Sequence, residues 1–126
     1  MRSTTYLNIL VFLLLGSCYY DDPPEPAEID PELVYFNSNV LPIFTRACDS
    51  PGCHNVGEVP PDLTAENAYD ELVGGGYVNT TLPESSILYL RVTGNSAGSL
   101  MPPAGRLPQT DIDLILAWIK KGALND

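Results

Sequence analysis

Cys48-Asp49-Ser50-Pro51-Gly52-Cys53-His54 is the stretch on which the fold turns. Two thiols followed at once by an imidazole are what covalent haem attachment uses. In the Cys-x-x-Cys-His signature the cysteines add across two haem vinyls and the histidine ligates iron. Here four residues separate the cysteines instead of two. Pro51 and Gly52 occupy the central positions that a type II turn favours, so a turn over residues 50–53 would loop the insertion out and leave both sulfurs facing one side. Two alternatives stay open at this point. The same turn would bring the thiols together for a Cys48–Cys53 disulfide with His54 a bystander. A structural zinc would need four ligands, and beyond Cys18 the chain holds no other Cys or His to complete them.

Upstream, Arg2 precedes an apolar run over residues 6–15 and then Gly16-Ser17-Cys18. The run is too short to span a bilayer and has the layout of a secretory signal. Leu15-Gly16-Ser17-Cys18 resembles the bacterial lipobox, which implies cleavage after residue 17 and a lipid on Cys18. That assignment also accounts for the odd cysteine in a chain of three. Residues 18–32 are proline-rich and acidic with almost nothing to bury, so they are expected to be an extended, self-repelling tether reaching roughly 40 Å. Residues 33–126 are expected to be one domain, of a size at which a single core is marginal without a staple or a cofactor.

Cleavage would leave 5 basic and 16 acidic residues, a formal net charge of −11. Such a balance disfavours nucleic acid as a partner and steers basic surfaces at low salt, or simply keeps the protein soluble.

Downstream, periodicity argues for helices and against strands. Tyr35, Phe36, Val40, Leu41, Ile43, Phe44 and Ala47 recur at helical spacing and lead into Cys48, with Pro42 placed in the first turn. Residues 62–73 read as a second helix with Thr64 as cap, stopped by three glycines. Residues 83–92 read as a third, stopped at Gly94. Residues 107–121 read as the last, with Ile112, Ile115, Leu116 and Ile119 in a stripe, Lys120 and Lys121 complementing the dipole, and Gly122 as C-cap. Asp111 and Asp113 fit the first turn of that helix, where negative charge is favoured. The expectation is an all-α domain of about four short helices whose long loops wrap a bound group.

One loop carries Met101 between Leu100 and Pro102-Pro103. Prolines pre-set the backbone, which suits a weak thioether ligand that must be positioned to bind. Without residues 1–17, Met101 is the sole methionine and His54 the sole histidine. Given haem at Cys48 and Cys53, they are the obvious His/Met pair.

Phe36, Val40-Leu41-Pro42-Ile43-Phe44, Cys53-His54, Pro60-Pro61-Asp62-Leu63, Ser86-Ile87-Leu88-Tyr89, Met101-Pro102-Pro103 and Trp118 to Ala123 together resemble the small cytochrome c domains of planctomycete and Bacteroidetes-type bacteria. The resemblance covers almost all of residues 33–126, in the family's order. It implies a class I cytochrome c fold in which the segments carrying Phe36 and Trp118 cross. It further implies Cys48 and Cys53 as thioether anchors of one haem c, His54 as proximal iron ligand and Met101 as distal ligand. The four-residue gap departs from the common motif. A carbonyl near Val59 or Pro60 is expected to hold the other His54 nitrogen.

The function these expectations add up to is one-electron transfer, not enzymatic catalysis, by a carrier lipid-anchored through Cys18 in the bacterial cell envelope. The absence of Asp after Cys18 tilts the anchor toward the outer membrane, facing the periplasm or the cell surface. Redox proteins are the expected partners, within a larger oxidoreductase or outside one. The competing readings are a haem-based ligand sensor with a loose Met101, and a haem-free, disulfide-stapled lipoprotein that binds a partner.

Overall fold

Phe36, Val40, Ile43 and Phe44 fall three or four residues apart, and the backbone winds to match. A π-helical turn, Phe36–Val40, runs without a break into helix α1, Leu41–Ala47. The computed structural model describes residues 28–95 and 98–126. The expected signal segment, Cys18 and most of the tether lie outside the described residues. Three further helices follow: α2, Ala68–Gly74; α3, Ile87–Thr93; and α4, Gln109–Lys121. Single 3-10 turns, Pro31–Leu33 and Pro83–Ser85, precede the first and third helices. The described residues contain no strand, so the fold is all-α.

Helix α1 starts one residue before Pro42, which falls in its first turn as expected, and the π-helical turn ahead of it forms because its orphan N–H groups find partners far along the chain. The Asp126 carboxylate accepts from the Phe36 N–H at 2.9 Å and its main-chain oxygen accepts from Asn37 at 2.9 Å. Lys121 Nζ donates to the same carboxylate at 2.7 Å and to the Val34 carbonyl at 3.0 Å, and lies 4.1 Å from the centre of the Tyr35 ring. Asp126 thus does the work of an N-cap from the opposite end of the sequence.

Helix α2 starts later than its sequence pattern indicates. Asp62 accepts from the Thr64 N–H and hydroxyl and from the Asn67 amide, at 3.0, 2.6 and 2.9 Å. The segment from Asp62 to Asn67 is therefore held as a turn by a side chain that competes with the helical ladder, and winding begins at Ala68. Ser86 likewise splits the third helical pattern. Its hydroxyl accepts from the Asn79 N–H at 2.9 Å, and its extended ψ of 133° separates the Pro83–Ser85 turn from α3. Gly94 and Gly122 end α3 and α4 in the left-handed conformation, φ 74° and 109°, as C-cap glycines do.

The core lies where the π-helical turn packs against α4. Phe36 packs between Trp118, ring centroids 5.1 Å apart, and the edge of Tyr69 at 5.4 Å. Ile112, Ile115 and Ile119 of α4 are fully buried, whereas Leu116 is only half-buried. Trp118 Nε1 donates to the Leu124 carbonyl at 2.8 Å, and the Tyr69 hydroxyl to Ala123 at 3.1 Å, so the chain after α4 folds back onto the same cluster. Packing also begins ahead of residue 33. Ile29, the apolar residue of the acidic stretch, rests on the core, and Asp30 accepts from the Glu32 N–H at 3.0 Å to start the first 3-10 turn.

Replacing Trp118 by Ala removes a fully buried ring and the donor to Leu124, and should cost about 3–5 kcal/mol in urea unfolding. Asp126 supplies an acid-sensitive part of the stability. Its hydrogen bonds from Lys121 and from the Phe36 N–H hold its carboxyl below the usual range. That contribution is complete above the ordinary Asp value of ~3.9 and is lost as pH falls through the folded value. The melting temperature of Asp126→Asn should therefore lie below that of the wild type at neutral pH, and the gap should shrink toward zero in acid.

Candidate functional site

Helix α1 ends at Ala47, and Cys48 closes it with its N–H bonded to the Phe44 carbonyl at 2.8 Å. The chain then turns. The Cys53 N–H donates to the Ser50 carbonyl at 2.9 Å and Gly52 has φ +82°, the i to i+3 bond and the positive φ at i+2 that mark a type II turn. The turn is tied at both flanks, by the Gly52 N–H to Glu58 Oε2 at 2.7 Å and by the Asn55 amide to Asp49 Oδ1 at 2.7 Å. The insertion between the cysteines is thus an ordered hairpin of backbone, and the His54 N–H returns to the Cys48 carbonyl at 3.2 Å.

The His54 ring is fixed by two carbonyls. Nδ1 lies 3.0 Å from the Val59 oxygen and 3.0 Å from the Pro61 oxygen. Two acceptors at one nitrogen put the proton on Nδ1, where it donates, and leave Nε2 with a free lone pair. A carbonyl near Val59 or Pro60 is expected from the sequence; Val59 is one acceptor, and Pro61 is a second outside that expectation. The loop that supplies them is held by the Val59 N–H to Cys53 and the Leu63 N–H to His54, at 3.0 and 2.8 Å.

Cys48, Cys53, His54 and Met101, spread over more than half the domain in sequence, line one cavity of about 450 Å³. That volume falls inside the range of about 300–1,000 Å³ usual for small-molecule and cofactor sites. Its floor is apolar and buried, from Phe44, Leu63, Leu72, Leu88 and Val92. Its rim includes Val59 and Ile87, which stay 52 % and 48 % exposed although both are large and apolar. Met101 reaches it from a loop whose Met101 N–H donates to the Arg91 carbonyl at 3.0 Å.

Two lining residues escaped the sequence analysis. Tyr77 follows the glycines that end α2, and Arg91 projects from α3 beside Leu88 and Val92. Arg91 had a signal, being a lone cation at i+3 and i+4 from the apolar Leu88 and Ile87. Among the described residues it is the one formally charged side chain that lines the cavity.

Chemically the site offers two thiols that can form thioethers or oxidise, and an imidazole nitrogen and a thioether that can bind a transition metal of intermediate softness. Both thiols are free. Among the described residues no group of three or more His, Cys, Asp or Glu side chains is placed to hold a metal, so the zinc alternative has no ligand set there. No helix of the described residues is long and apolar enough to cross a membrane.

The two thiols differ in environment. Burial pushes the Cys48 thiol up to about 11, the neighbouring Cys53 adds to the rise and Arg46 opposes it, whereas Cys53 is exposed. In haem-free protein near ~pH 8, iodoacetamide should label Cys53 well before Cys48, because the thiolate is the reacting form. Peptide mapping at short times reads the order. Labelling at equal rates would show that Cys48 is not shielded.

A scan against family models, a search of curated proteins and a search of solved structures give no match to this chain. The assignment of the cavity therefore rests on its own residues.

Proposed function

We propose that the domain is a mono-haem cytochrome c that carries single electrons, with a class I arrangement of its helices. The observation that carries the proposal is the convergence of Cys48, Cys53, His54 and Met101 on one apolar cavity of about 450 Å³. The donor set suits the group chemically. Cys48 and Cys53 would each add S–H across a vinyl double bond, sulfur to one carbon and hydrogen to the other. His54 would give Nε2 to the iron while its Nδ1–H stays on the Val59 and Pro61 carbonyls, which fixes the ring. Met101 would give its thioether from the opposite loop. Val59 and Ile87 at the rim would find apolar cover that they otherwise lack.

When bound, haem with His/Met ligation supplies a one-electron iron couple of raised potential. The chain's part would be to hold the iron through His54 and Met101 and to keep water out with Phe44, Leu63 and Leu72. Such a site favours outer-sphere transfer over chemistry on a substrate. We further propose that a lipid on Cys18 and the acidic segment that follows tether this domain at the cell envelope, within reach of redox partner proteins.

The test is a reduced-minus-oxidised spectrum of protein made with a haem-attachment system, followed by acid-acetone extraction. Haem that stays with the protein, with a low-spin c-type spectrum, is expected; a colourless protein would sink the proposal and move the weight to a haem-free, disulfide-stapled lipoprotein. Met101→Ala should keep haem attached and lower the reduction potential by on the order of 0.1 V, a modest part of the ~0.8 V that axial ligands command. An unchanged potential would remove Met101 from the iron.

A further inference from the structure

Arg91 meets the methionine loop twice. Its main-chain carbonyl accepts the Met101 N–H at 3.0 Å, and its guanidinium Nη1 donates to the Ser99 carbonyl at 3.3 Å. Gly98 lies so close against the guanidinium that a Cβ at that position would overlap Nη1. Leu100 packs over Gly94, the left-handed residue that ends α3, 3.3 Å from where a Cβ on Gly94 would sit. The chain on the Met101 side of the loop is thus bound to one residue of α3 and to the end of that helix.

We infer that Arg91 is a positioning residue for Met101: its guanidinium straps residues 98–101 and sets how firmly the thioether is held at the cavity. The inference deepens the haem proposal and rests on it for the role of the thioether, but the strap itself is a property of the chain. A thioether is a weak ligand, so its occupancy at a metal depends on how well its loop is ordered before the bond forms. A guanidinium donates a charge-assisted hydrogen bond, stronger than a neutral donor at equal distance. Gly98 is the residue that lets the guanidinium approach the backbone, because a Cβ there would displace it.

Two variants remove the strap by different routes. Arg91→Ala deletes the guanidinium, and Ala is a good helix former at that position of α3. Gly98→Ala leaves Arg91 in the sequence and pushes its guanidinium off the loop. Arg91→Lys keeps a cation with one donating head and should restore part of the effect. Hydrogen exchange followed by mass spectrometry on the full chain is expected to show residues 98–101 exchanging about tenfold faster in both Ala variants, with Lys between and α4 unchanged, as loss of one hydrogen bond to a charged group predicts. The same variants carrying haem, reduced, should bind carbon monoxide about tenfold faster than the wild type, because the displaced thioether leaves the sixth position open more often. A role in overall stability alone would not produce that change or its partial rescue by Lys.

Wild-type exchange rates at residues 98–101 in Arg91→Ala and Gly98→Ala overturn the strap. So does carbon monoxide binding that matches the wild type in a haem-loaded variant. A wild-type chain that takes up no covalent haem instead overturns the proposed function, while the exchange comparison still decides the strap.

Discussion

Phe36, caught between the Trp118 and Tyr69 rings, fixes the angle at which the first helix leaves the core. Aromatic pairs prefer tilted and edge-to-face arrangements, so the contact has a direction as well as an energy. Everything at the cavity is referred to that direction. Helix α1 points from the aromatic cluster to Cys48, the turn over residues 50–53 is built on Cys48, and His54 follows the turn. The ties from the other end of the chain, Asp126 to Phe36 and Asn37 and Lys121 to Val34, hold the helix start against α4. The cluster and the cavity sit at opposite ends of one short helix, so a change in the first is transmitted to the second through a rigid element.

The walls of the cavity come from helices and its chemistry comes from loops. Phe44, Leu72, Leu88 and Val92 each project from a helix, whereas Cys53, His54 and Met101 sit in irregular segments whose backbone groups are paired across short distances. This division is common where binding residues are held by a rigid scaffold. It also explains why a domain so small carries long stretches without helix: the loops are satisfied through their own hydrogen bonds, among them Glu58 to Gly52 and the double acceptor at His54.

The helices were legible where side chains repeat at the helical period. Ile112, Ile115 and Ile119 mark the buried face of α4, and Gly122 its end, because burial and the left-handed cap are local demands on local residues. The turn between the cysteines was legible for the same reason, since Pro51 and Gly52 carry backbone preferences of their own. The start of α1 beside Pro42 was legible too, but the π turn ahead of it and the starts of the second and third helices were not. The π turn depends on Asp126, the second helix on Asp62 outbidding the helical ladder, and the third on a hydroxyl of Ser86 engaged with Asn79. These are side-chain decisions, two of them within a few residues and one across the domain, and periodicity is blind to them. Of the site, Cys48, Cys53, His54 and Met101 could be named from residue type and spacing. That they face one cavity is a tertiary fact, and so is the presence of Tyr77 and Arg91 beside them.

Each cation of the described residues is engaged with its own chain. Arg46 is bonded to Asp111, Arg91 to Ser99, Arg106 to Gln109, Lys120 to Glu84 and Lys121 to Asp126. Three of these five sit against carboxylates and the acids outnumber the cations, so the surplus charge is negative. Beyond the Debye length of ~8 Å at physiological salt that surplus is screened, and inside it two copies of the domain repel each other. Concentrating the protein should therefore not by itself bring two cavities face to face.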